Sequence, residues 1–105
     1  GGLQVQSSTG EWVNVPKLKN SFVVNVGDML HIMTNGILRS TPHRVINETG
    51  LERFSCPFFY DPNISLDVTP LKGTGKPKFA TVNFGNFLKK ELGDSYKKHK
   101  ASRKP

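Results

Sequence analysis

The chain has 105 residues, 35% of them hydrophobic, and a formal net charge of +7, enough for one domain but with a thin apolar supply for its core. Its single cysteine, Cys56, excludes an intramolecular disulfide, and no apolar run approaches the roughly 20 residues that a membrane helix needs. Lys89 to Pro105 holds seven lysines and arginines against Glu91 and Asp94, a net of +5 that leaves +2 for the other 88 residues, so the basic character is mostly a tail and argues against a nucleic-acid surface.

Several short strands with frequent turn signals predict an all-β barrel or sandwich. Leu3 to Gln6 and Glu11 to Asn14 read as strands around a turn at Ser7 to Gly10. Phe22 to Asn25 is a further strand, and Val26, Gly27 and Asp28 form a turn into an apolar strand from Met29 to Met33. Thr34, Asn35 and Gly36 give a hairpin signal, and Ile37 to Arg39 leads into the next strand. Thr41 to Asn47 alternates and holds β-branched residues, and Leu51 to Tyr60 is rich in aromatics. Past Asp61, Pro62 and Asn63 the chain loosens. Pro70 to Lys78 is a loop, and Phe84 to Leu92 is a helix with Asn83 as N-cap and Gly93 just past its end. Phe84, Phe87 and Leu88 form its buried stripe. From Lys97 to Pro105 the chain lacks apolar periodicity and reads as solvated.

The connection Glu48, Thr49 and Gly50 has the length of a hairpin loop whose glycine takes the left-handed position. In that register Asn47 faces Leu51, Val45 faces Arg53, and His43 faces Ser55. One strand face then carries an imidazole, a guanidinium and a hydroxyl; a one-residue slip would break the grouping. Imidazole is a common ligand for iron, copper and zinc, and the arginine fork matches a carboxylate in bidentate fashion. The set suits a small dicarboxylic acid held at its far end while its near end reaches a metal. The plainer readings are a packed or surface histidine and an arginine that pairs with a nearby acid or lies in solvent.

Other residues carry structural expectations. His31 packs or bonds locally, Asp28 is a turn former, and Arg44 points away from the His43 face. Asn25 and Ile32 could line the site if their strands face inward. Cys56 reads as a small packed side chain.

In order and spacing, GGLQV at Gly1 to Val5, Trp12, FVVNVGDMLHIMTNG at Phe22 to Gly36, HRV at His43 to Val45 and RFS at Arg53 to Ser55, followed by PFF, resemble the C-terminal half of the catalytic domain of the iron(II) and 2-oxoglutarate-dependent oxygenases. The branch is that of the plant-type dioxygenases, aminocyclopropane carboxylate oxidase and isopenicillin N synthase. The resemblance implies a mostly β fold, part of a double-stranded β-helix (jelly roll), with one C-terminal helix. It divides the chain into 1–69, half of the β-helix core; 70–96, loop and helix; and 97–105, a basic disordered tail. It makes His43 an iron ligand and Arg53 with Ser55 the pair that holds the far carboxylate of 2-oxoglutarate. The cofactors implied are iron(II) and 2-oxoglutarate, with ascorbate admitted. The His43 to Arg53 interval is closer to that of the 2-oxoglutarate users than to isopenicillin N synthase, whose interval is shorter by one.

Family members carry a histidine-x-aspartate pair ahead of the GGLQV-like stretch, and here neither His31 nor His99 is followed two residues on by an acid. The expectation is a part of an oxygenase that lacks two of three protein ligands and is inactive alone. The whole enzyme would couple 2-oxoglutarate decarboxylation to hydroxylation or desaturation of a small organic substrate. The alternatives are a 2-oxoglutarate-independent oxidase of the same family and a non-catalytic β-sandwich binding module. A cytoplasmic setting is expected from the cysteine usage, no membrane partner is expected, and open strand edges invite pairing between two copies.

Overall fold

The computed structural model describes residues 1–102, with side chains to residue 97. Two small sheets and two helices are found among the described residues, joined by long irregular segments. The first sheet has the order β2-β1-β3, with β1 at Leu3–Gln6, β2 at Trp12–Asn14 and β3 at His43–Val45. Both pairings are antiparallel. β1 meets β2 through Gln4 with Asn14, Val5 with Val13 and Gln6 with Trp12, around the expected turn, where Gly10 N–H donates to the Ser7 carbonyl at 3.1 Å. β1 meets β3 through Leu3 with Val45, Gln4 with Arg44 and Val5 with His43.

The core lies outside this sheet. Met29, Val68 and Phe84 are buried together, and Ile32, Met33, Val82, Phe87 and Leu88 pack around them. They come from α1 (Asp28–Met33), the two-stranded sheet of β4 (Asp67–Val68) and β5 (Val82–Asn83), and α2 (Phe84–Ser102). The expected stripe of Phe84, Phe87 and Leu88 therefore holds. Asn83 caps α2 as expected, its Oδ1 accepting Asn86 N–H at 3.1 Å. Gly85 must lack a side chain, because a Cβ there would sit 2.7 Å from the Ile64 carbonyl oxygen.

Met29–Met33 is a helix and not the strand that alternation suggests. Met29, Ile32 and Met33 stand at i, i+3 and i+4, and only helical spacing turns all three toward Val68 and Phe84. Thr34, Asn35 and Gly36 accordingly end a helix and make no hairpin. Gly36 N–H donates to His31 O and Asn35 N–H to Ile32 O, each at 2.9 Å, with Asn35 at φ +54°, the pattern of a Schellman stop. Asn35 is also the buried polar residue of the region. Its Nδ2 donates to the carbonyls of Thr74 and Lys76 at 3.0 Å each, and its Oδ1 accepts Lys78 N–H at 2.8 Å, so it ties the 70–78 loop to the end of α1.

Three further expectations are corrected. Phe22 to Asn25 and Leu51 to Tyr60 lie in no ladder, because β3 takes β1 as its partner. α2 runs through Gly93 to Ser102, with an exposed Asp94 and Lys97 pair 3.9 Å apart on its surface; the stretch read as a disordered tail is helical to Ser102, and 103–105 lie outside the described residues. Cys56 is exposed. No helix among the described residues is long and apolar enough to cross a membrane.

Candidate functional site

Register assigns the faces of the first sheet. Directly opposed residues share a face, so Leu3, Val5, Val13, His43 and Val45 stand on one side and Gln4, Gln6, Trp12, Asn14 and Arg44 on the other. The second face is a polar ladder. Gln4 Nε2 donates to Asn14 Oδ1 at 2.9 Å, Arg44 Nε donates to Gln4 Oε1 at 2.8 Å, and the Arg44 guanidinium lies 4.2 Å from the Trp12 ring centroid. Arg44 thus points away from His43, as alternation requires.

On the first face His43 is exposed, and its Nδ1 lies 3.4 Å from the Thr41 carbonyl oxygen. That contact leaves the rest of the exposed ring open to solvent. Arg53 is half-buried and reaches the sheet by another route than the expected hairpin: its Nε donates to the Gly1 carbonyl oxygen at 2.8 Å. Among the described residues its terminal nitrogens have no partner and no acid pairs with it, so the reading of Arg53 as half of an internal ion pair does not hold. An open groove of about 180 Å³ lies beside it, lined by Gly1, Leu3, Val15, Pro16, Lys17, Val23 and Arg53. Leu3 is on the His43 face of β1, so the groove opens on that side of the sheet.

The loop that leads to Arg53 has the expected turn chemistry. Gly50 adopts φ +67°, Asn47 Nδ2 donates to the Leu51 carbonyl at 2.7 Å, and Thr49 Oγ1 donates to Asn47 Oδ1 at 2.9 Å. The strands beyond it do not pair, however. Val45 faces Leu3 and not Arg53, and His43 faces Val5 and not Ser55. Ser55 is exposed and has no hydrogen bond among the described residues. Asn25 is exposed, and Ile32 packs on the Met29 core away from the groove. His31 does bond locally, Nδ1 to the Leu38 carbonyl at 2.7 Å, with Phe79 edge-on at 5.0 Å.

Sequence reasoning missed the glycine pair. Gly2 adopts φ +91°, and a Cβ there would run into the Ile46 carbonyl oxygen and lie 3.5 Å from Arg53 Nε. The signal is present in the GG of GGLQV, where adjacent glycines precede a strand and permit close backbone approach. Lys17 and Val23 were missed because nothing local marks them as groove residues. Among the described residues no three His, Cys, Asp or Glu side chains gather to hold a metal ion, so His43 stands as a single donor. An exposed imidazole fits iron, and a half-buried, unpaired guanidinium fits a carboxylate.

The model of the 2OG-Fe(II) oxygenase superfamily matches residues 1–62. The chain is 51% identical over 74 residues to a probable iron/ascorbate oxidoreductase of Dictyostelium discoideum, covering 70% of this chain and 20% of that protein. It is 38% identical over 100 residues to 1-aminocyclopropane-1-carboxylate oxidase 1 of Oryza sativa subsp. japonica, covering 95% and 31%. Among solved structures, a protein of Caulobacter crescentus assigned to the 2OG-Fe(II) oxygenase family superposes with a TM-score of 0.78 at 30% identity, over 90% of this chain and 34% of that one. A full-length Neurospora crassa protein in complex with alpha-KG and thymine gives 0.74 at 29%, over 91% and 32%. The likeness makes the arrangement part of a jelly roll with a C-terminal helix. The chain spans about a fifth to a third of the length of the curated relatives it matches.

Proposed function

The chain belongs to the 2OG-Fe(II) oxygenase superfamily, and from that premise we propose that it supplies the cosubstrate-anchoring part of a dioxygenase that couples 2-oxoglutarate decarboxylation to oxidation of a small organic substrate. The observation that carries this reading is Arg53, a half-buried cation without an acidic partner among the described residues, lining a groove on the side of the sheet that bears His43.

In this reading Arg53 holds the far carboxylate of 2-oxoglutarate through its terminal nitrogens, while its Nε stays on the Gly1 carbonyl and fixes the plane of the fork. Ser55 adds a hydroxyl to the same carboxylate. His43 offers Nε2 to iron(II), with ascorbate as a supporting reductant. Iron with 2-oxoglutarate supplies the oxidising power when bound, and the protein supplies position and electrostatics. The other iron ligands would come from a histidine-x-aspartate pair of the kind that family members carry, since His43 is a single donor among the described residues. The setting is cytoplasmic, which the single exposed Cys56 supports, and two copies pair through their open edges.

A second reading, a 2-oxoglutarate-independent oxidase, is favoured by the 38% identity to the aminocyclopropane carboxylate oxidase over 95% of this chain. Succinate release coupled to turnover separates the two. The primary test is an anaerobic titration of iron(II) with 2-oxoglutarate, following the metal-to-ligand charge-transfer absorption. It is run on this chain and on one extended upstream to a histidine-x-aspartate pair. A band in the extended chain alone is expected; a band in neither removes the assignment and leaves a binding module.

A further inference from the structure

We propose that Lys17 is a second cation of the Arg53 groove and makes it select a dianion over a monoanion; this rests on Arg53 as the carboxylate anchor. The local sequence explains how Lys17 arrives there. β2 ends at Asn14, but Val15 N–H still donates to the Leu3 carbonyl at 2.9 Å, one step further along the same register. Pro16 has no N–H and ends the ladder. The chain leaves the sheet at that point, and Lys17 joins Leu3 and Val15 in lining the groove.

The composition of the lining carries the rest. Leu3, Val15, Pro16 and Val23 are apolar, Gly1 offers its backbone and the α-amino group of this chain, and the two charged side chains are those of Lys17 and Arg53. No acid lines the groove, and neither cation is in an ion pair among the described residues. Two like charges beside apolar walls focus a positive potential on the space between them. At about 180 Å³ the open groove is below the roughly 300 Å³ at which drug-sized ligand sites begin, a size that suits one end of a small acid. The two residues have different parts. The Arg53 fork, braced on Gly1, sets the geometry of one carboxylate, whereas Lys17, exposed on a flexible stem, adds charge without fixed geometry. Its contribution is therefore modest, sensitive to salt, and greater for a ligand with two negative charges than for one.

The experiment is an amide NMR titration of the full chain, following Leu3, Val15 and Val23. The ligands are 2-oxoglutarate and 2-oxopentanoate, which has the same carbon count and no distal carboxylate. Lys17→Met is expected to weaken 2-oxoglutarate binding roughly two- to fivefold at low ionic strength, to affect 2-oxopentanoate less, and to lose most of its effect near about 0.15 M salt. Lys17→Arg should bind as the parent does, and Arg53→Gln should abolish 2-oxoglutarate binding. Lys17 is exposed, so both of its variants keep the fold, which the remaining amide shifts verify. Unchanged 2-oxoglutarate affinity in Lys17→Met, with binding lost in Arg53→Gln, overturns the Lys17 proposal and leaves the anchor standing. Binding that survives Arg53→Gln, or its absence in the parent chain, overturns the anchor and the proposal with it.

Discussion

The Nε–H of Arg53 donates to the carbonyl oxygen of Gly1 at 2.8 Å, a bond that spans 52 positions and joins the start of the first sheet to the groove cation. Gly2 makes this approach possible, because Ile46 N–H reaches its carbonyl at 2.8 Å while the Ile46 carbonyl occupies the space of the missing side chain. Gly2→Ala therefore combines a positive φ with a backbone collision and should cost about 3 kcal/mol. Gly10→Ala, also at positive φ but with open space around it, should cost only about 1 kcal/mol. Urea denaturation measures both. Equal costs would mean that the Ile46 contact does not constrain Gly2.

His43 has the opposite profile. Its ring is exposed and belongs to no buried cluster, so His43→Ala should change stability by less than about 0.5 kcal/mol. In a chain extended to include the histidine-x-aspartate pair, the same change should lower iron(II) affinity by more than the roughly 10–100-fold seen when an outer-shell partner is lost. Competition titration with a chromophoric chelator reads this directly. An affinity equal to that of the parent would remove His43 from the ligand set.

Asn35 is 1% exposed and satisfies three backbone groups of the 74–78 segment. Asn35→Ala leaves two carbonyls and one N–H without that partner and should cost about 3 kcal/mol, plus about 1 kcal/mol for a left-handed alanine. Asn35→Gly removes the hydrogen bonds but tolerates φ +54°, so it should be the milder change by that last amount. Thermal unfolding of the pair separates the side-chain role from the backbone role. If glycine proves as damaging as alanine, the conformational part is negligible.

What was legible in the sequence was local. β1, the Ser7 to Gly10 turn and the Asn83 cap depend on neighbours a few residues away, and each lies where its residues place it. The Asn35 and Gly36 pair misled because positive φ serves a hairpin turn and a helix stop equally well. The spacing of Met29, Ile32 and Met33 was the deciding signal, since an alternating strand would have divided them between two faces. Partner choice was not legible. β-propensity marks Leu51 to Tyr60 as strand-prone but cannot say what it pairs with, and β3 went to β1. The structure ties His43 to Val5 and Arg53 to Gly1, at different places along β1, and not to each other. Ser55 depended wholly on the hairpin register and was left exposed when that pairing did not form.

The unpaired segments carry the last prediction. Among the described residues neither Phe22 to Asn25 nor Glu52 to Pro62 pairs with a strand. Their side chains are large and apolar: Phe22 is 97% exposed, Phe58 89% and Tyr60 96%. Extended backbone with free donors and acceptors is a template for another strand, and contiguous exposed aromatics add a hydrophobic incentive. The chain alone should therefore associate at micromolar concentration, with a light-scattering mass at least twice that of the monomer. Lysine is a common guard on open edges, so Phe58→Lys combined with Phe59→Lys should shift the population toward monomer without altering the Met29, Val68 and Phe84 core. A parent chain that is monomeric throughout that range would show that these edges do not pair between copies. A double variant that associates as the parent does would instead direct attention to Phe22 and Val24, the other exposed apolar pair.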